Sequence, residues 1–139
     1  MTSPMDLAAT EAELQRVLDQ VAFARAYGFR LHAIAPGQCT LDVPFQLLFE
    51  RPGGIVGGQV FMAAADVAMW LAIMTRLGAD DGSVTSTMTS AFLDAARHEP
   101  FRCTARVVKL GRRLVYGVAE SVSGEGRLLT HHTLTYARR

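Results

Sequence analysis

Few residue types are in excess in this chain of 139 residues. Lys and Arg number 14 against 13 acids, a formal net charge of +1, so no overall field recommends nucleic acid or an anionic membrane as a partner. The two cysteines, Cys39 and Cys103, form no CxxC pair and sit in alternating apolar stretches. Buried free thiols in a reducing compartment are expected, not a disulfide framework. Residues 1–9 lack the basic start and apolar core of a secretory leader, and cytoplasmic localisation is the resulting expectation. There is no low-complexity tract and no repeat. The long apolar run over residues 55–75 starts among Gly57, Gly58 and Gln59 and carries Asp66 at its centre, which suits a buried helix better than a membrane span. Chemistry-bearing clusters are scarce too. His131 and His132 adjoin in a strand pattern that sends their rings to opposite faces, and His32 and His98 have no ligand-spaced companion, so no metal site is expected. Ser121 and Ser123 lack the G-x-S-x-G context of a nucleophile elbow.

What is present fits one domain over residues 1–139. Half the residues are apolar and 19% are charged, and a chain of this size buries roughly two-thirds of its unfolded surface. Residues 6–27 place Leu7, Leu14, Val17, Leu18, Val21 and Phe23 at helical intervals and predict an amphipathic helix ended by Gly28, packed on the rest of the domain. Residues 29–34 and 39–43 alternate around Pro36-Gly37 as a hairpin. An irregular stretch with Arg51-Pro52-Gly53-Gly54 follows. Residues 57–77 are apolar on every face, which marks a helix surrounded by protein; Trp70, Met69 and Met74 read as its packing. The period then changes to two over residues 84–93, 101–110, 114–123 and 127–136, which predicts four strands in an antiparallel meander. Six strands must hide one face of their sheet, and the 57–77 helix is the element apolar enough to fill it. The expected class is α+β: a six-stranded antiparallel sheet wrapped around a long central helix.

The helix start and the lone acid carry the chemistry. A helix N-terminus presents unpaired amides and partial positive charge, so the Gly58 and Gln59 N–H groups suit a carbonyl oxygen that becomes an oxyanion on attack. Gln59 adds a side-chain amide. Asp66, alone in an uncharged helix, must be paired, wet or functional. Positive charge is concentrated after residue 70, with ten Lys/Arg against six acids there and four Arg against seven acids before it. Arg106, Lys109, Arg112 and Arg113 cluster near one hairpin, and either a phosphorylated ligand or a solvated tip explains them.

The run Gly53-Gly54-Ile55-Val56-Gly57-Gly58-Gln59, followed by Asp66 two helical turns on and by Gly111-Arg112-Arg113, resembles the signature of PaaI-type acyl-CoA thioesterases of the hot-dog-fold superfamily. The likeness covers residues 28–137. It implies hydrolysis of an acyl-CoA thioester, with no cofactor beyond the coenzyme A of the substrate. Asp66 would act as general base or nucleophile, opposite the glycine turn of an antiparallel second subunit. Thr85 falls where relatives hold the attacking water, and alternation puts it on a polar face with Thr87 and Thr89, opposite Val84, Met88 and Phe92. Gly57, Arg51, Lys109, Arg112 and Arg113 would contact substrate, and the assembly would be a homodimer or a dimer of dimers, a homotetramer. Gly57 stands where the family usually has His, Gln59 where it has a second glycine, and Arg51 where an Asn is frequent. A non-catalytic acyl-CoA-binding or structural hot-dog domain is therefore the alternative. A dehydratase lacks its His on the glycine turn, and a DNA-reading repressor needs more than one N-terminal helix.

Overall fold

The computed structural model describes residues 6–139. The single N-terminal helix expected over residues 6–27 is two helices: α1 (Glu11–Asp19) and α2 (Ala22–Tyr27). Thr10 and Glu13 form a reciprocal capping box at the start of α1. The helix stops because Val21 is extended and the Arg25 guanidinium takes the terminal Asp19 carbonyl at 2.7 Å. The break lets Leu14, Leu18 and Ala24 all reach the core while Phe23 stays outside.

The hairpin is as expected, with β1 (Arg30–Ala35) and β2 (Gln38–Val43). The irregular stretch contains a two-strand ribbon, β3 (Glu50–Arg51) and β4 (Ile55–Val56). Gly53 and Gly54 at its tip have φ of +99° and +73°, a region that side chains with a Cβ rarely adopt. Then come α3 (Gly58–Leu77), β5 (Val84–Phe92), β6 (Phe101–Leu110), β7 (Leu114–Ser123) and β8 (Leu128–Ala137).

The six long strands form one antiparallel sheet in the order β1-β2-β6-β7-β8-β5. The four-strand meander therefore needs correction: only β6, β7 and β8 follow one another, and β5 crosses to pair with β8 at the edge. Alternation along β5 reports its faces and not its neighbour, and the residues between β5 and β6 form a crossing loop instead of a hairpin turn.

The sheet curls around α3. Ala64, Ala65, Ala68 and Ala72 are fully buried, and their small side chains let helix and strands approach closely. At Gly117 a Cβ would meet Met69 and the Arg106 carbonyl oxygen, so the Met69 side chain rests directly on the sheet. Leu71, Ile73 and Met74 are buried on the same helix, each worth about 1.5–3 kcal/mol relative to exposure. The helix has the length and apolarity of a membrane span, but two-thirds of it is covered within the protein.

Candidate active site

Asp66 leaves the core on the one face of α3 that the sheet does not cover. Its Oδ1 accepts a hydrogen bond from Thr85 Oγ1 at 2.6 Å and another from the Tyr136 hydroxyl at 2.7 Å. The same hydroxyl lies 2.7 Å from the Asp66 carbonyl oxygen. Tyr136 is nearly fully buried; its burial, and after it the Asp66 carboxylate, raise the phenol above its ordinary range and keep it a donor. The result is a carboxylate fixed through one oxygen by two hydroxyls. No described residue donates to Oδ2.

A bulge makes this arrangement possible. Thr85 pairs with Tyr136, but Thr87 pairs with Thr135, so Ser86 is the extra residue. Thr85 consequently points inward with Met88 and Phe92, and the expectation of a shared Thr85, Thr87, Thr89 face is corrected. Tyr136 was absent from the sequence-based candidates. Its signal was available: it alternates with His132 and Leu134 on the inward face of the last strand, and a buried tyrosine hydroxyl needs a partner. The two histidines do face opposite ways, His132 buried and His131 partly exposed.

The glycine turn forms the second half. Gly57 N donates to the Phe49 carbonyl at 2.8 Å and Val60 N to Gly57 O at 3.1 Å. Among the described residues nothing accepts from the Gly58 or Gln59 amides. Gly58 borders a cleft of about 520 Å³ together with Arg51, Phe61, Phe92 and Asp94. A Cβ on Gly58 would come within 3.1 Å of the Phe92 ring. On Gly57 it would meet the carboxamide of Gln59 at 2.6 Å, so Gln59 folds back over the space that a side chain at 57 would occupy.

The cleft wall is braced from outside. Arg127 reaches Asp94 at 2.8 Å and both oxygens of Glu99 at 3.0 and 2.8 Å, and holds the Asp94 carboxyl below its usual range. Between those contacts, Arg97 donates to the Gly53 carbonyl at 2.7 Å and Val56 N to the Ala96 carbonyl at 2.9 Å.

The predicted residues thus fall into two groups. Asp66 and Thr85 line one cavity of about 600 Å³, whereas Gly58 and Arg51 share the separate cleft. Gly57 and Gln59 sit at the helix start beside that cleft. Lys109, Arg112 and Arg113 line neither hollow. A larger hollow of about 870 Å³ at the ends of β1, β2, β6 and β7 contains none of the predicted residues, and its Arg102 is paired with Asp42 at 2.6 Å.

A sheet wrapped on a helix with an acid and a glycine turn at these places defines a hot-dog thioesterase, and the sequence agrees. Residues 53–130 match the model of the thioesterase superfamily; the chain belongs to that family, whose activity class is thioester hydrolysis. "Putative esterase Ta0293" of Thermoplasma acidophilum is 25% identical over 124 residues, covering 89% of this chain and 93% of that protein. A "Putative esterase" of Sulfurisphaera tokodaii is 29% identical over 120 residues, covering 86% and 89%. Among solved structures, conserved protein PA5202 from Pseudomonas aeruginosa has a TM-score of 0.84 at 25% identity, covering 94% of this chain and all of that one. The E. coli PaaI protein has the same TM-score at 17% identity, covering 92% and 91%, which is a likeness of fold.

Proposed function

We propose that the protein is an acyl-CoA thioesterase whose two catalytic halves come from two copies of the chain. The observation that carries this reading is the Asp66 carboxylate, anchored through Oδ1 by Thr85 and Tyr136 with Oδ2 free for water. Such a group takes a proton from water as the oxygen attacks the thioester carbonyl. The carbonyl oxygen, becoming an oxyanion, is held by the amides of Gly58 and Gln59. Collapse breaks the C–S bond, and the thiolate leaves with the proton to give a carboxylic acid and coenzyme A.

Geometry within one chain favours a second copy. Eight residues of helix separate Gly58 from Asp66 by about 12 Å, and the two face different hollows. Residues 58, 62 and 66 share one face, and Met62 midway between them is 40% exposed. Two α3 helices crossing antiparallel near Met62 would set each Asp66 against the other's Gly58. The β5 edge is paired on one side alone, so joining two such edges would continue the sheet. A hypothetical thioesterase protein from Streptococcus pneumoniae with the same fold, TM-score 0.73 at 15% identity over 80% of this chain and 85% of that one, was crystallised with coenzyme A, in keeping with the substrate proposed here.

Thiol release from a panel of acyl-CoAs, with sedimentation at the assay concentration, tests both parts. Turnover by a dimer or tetramer is expected. A stable monomer at micromolar concentration defeats the shared site, and saturable acyl-CoA binding with no thiol released points to the binding domain instead.

A further inference from the structure

We infer that the cavity holding Asp66 receives the acyl group, and that Asp81 restricts it to acyl groups without a negative charge. The inference rests on the thioesterase reading and adds its substrate class. The walls of the cavity are apolar: Val21 and Phe23 from the α1–α2 corner, Val67 and Trp70 from α3, Val84, and the ring of Tyr136. Phe23 is 51% exposed at the rim, an aromatic face that an acyl group would cover. The charged groups in the lining are Asp66 and Asp81, and it contains no Lys, Arg or His. Asp81 is held in place by accepting from Ser83 N at 3.0 Å.

Charge then decides which end of an acyl-CoA enters. The phosphates of the coenzyme are repelled by two carboxylates, whereas the cleft at Gly58 has Arg51 on its rim and its one carboxylate, Asp94, is already paired with Arg127. The acyl end therefore takes the acidic cavity and the coenzyme arm runs past the glycine turn. A carboxylate at the far end of the acyl group would meet the same repulsion. At separations near 6 Å and a partly screened dielectric, one such charge lowers occupancy about tenfold. Asp66 is needed for the reaction; Asp81 makes no contact that requires its charge, since an asparagine oxygen accepts from Ser83 N equally well.

The test compares hexanoyl-CoA with glutaryl-CoA, similar in length and differing in a terminal carboxylate. The wild-type protein should prefer hexanoyl-CoA by at least about tenfold in kcat/KM. Asp81→Asn should narrow that ratio several-fold and Asp81→Lys further. Equal use of the two thioesters by the wild type, or a ratio unmoved by both variants, overturns the inference. Trp70 is the sole tryptophan of the chain and lines this cavity, so its fluorescence reports occupancy without turnover. Titration with free hexanoate and glutarate should show hexanoate binding tighter, and the gap closing in Asp81→Asn; no response to hexanoate overturns the assignment. Absence of thiol release from every acyl-CoA would defeat hydrolysis, and the fluorescence comparison would still decide where the acyl group sits.

Discussion

The cleft at Gly58 and the cavity at Asp66 open off the same helix, yet they are built from opposite chemistry. At Gly58 the polar groups aimed outward are unpaired backbone donors, next to Arg51 and to an Asp94 carboxylate already taken by Arg127. At Asp66 the hydroxyls are spent on fixing a carboxylate, and what remains exposed is an acceptor. One hollow suits an oxygen that gains charge and the other suits a water that loses a proton. In the proposed mechanism neither is a site alone, and each supplies what the other lacks.

Removing the acceptor should have the largest effect. Asp66→Asn keeps size and hydrogen bonding but abolishes the base, and thiol release is expected to fall roughly 10²–10⁴-fold with the far-UV spectrum unchanged; survival within a few-fold would make Asp66 structural. Spoiling the donor side comes next. In Gly58→Val the branched side chain runs into Phe92, and kcat should drop at least as much as KM rises, because the oxygen carries its charge chiefly in the transition state. A pure KM effect would remove the oxyanion role.

Tyr136→Phe sharpens the comparison by loosening the acceptor without deleting it. Thr85 then holds Asp66 unaided, and a lost bond to a charged group of about 1.5 kcal/mol or more predicts a decrease of tenfold or more in kcat. Unchanged kcat would show that the phenol only packs. The smallest effect lies outside both hollows. Burial, then the neighbouring His131 charge, depress His132 to about 4, below its unfolded value of about 6.5. The unfolded chain therefore binds this proton first as pH falls. Stability is complete above pH 6.5 and is lost on descending toward 4, by up to about 3 kcal/mol. Thermal melts across that window should show the slope, and His132→Asn should flatten it with no change in the ratio of the two half-site effects.

Element types were largely legible in the sequence, because a period of two marks the long strands and a long run apolar on every face marks α3, without tertiary information. Pairing was not. β5 alternates just as β6 does, and nothing in alternation tells that it joins β8. The bulge at Ser86 is a single extra residue that reverses the side-chain direction on either side of it, which is why Thr85 was grouped with the wrong threonines yet still identified as a site residue. Asp66 and Gly58 stood out chemically, one as the lone charge in an apolar helix and the other at a helix start. Tyr136 was legible as an inward hydroxyl in need of a partner, but not as the partner of Asp66, which lies 70 residues away and is reached only through the closure of the sheet.

Division of the site along one helix can be expressed as counting. If each centre combines Asp66 of one copy with Gly58 of the other, a mixed dimer of Asp66→Asn and Gly58→Val chains contains one centre bearing both defects and one bearing none. Co-refolded at equal amounts, two inactive proteins would yield mixed dimers in half of all pairings, each with a single intact centre, and so recover about one quarter of wild-type activity. No recovery from well-folded mixed dimers would put both halves of each centre in one chain. On the proposed pairing, a residue spacing of eight along α3 would set the stoichiometry of function, with two chains as the smallest catalytic unit.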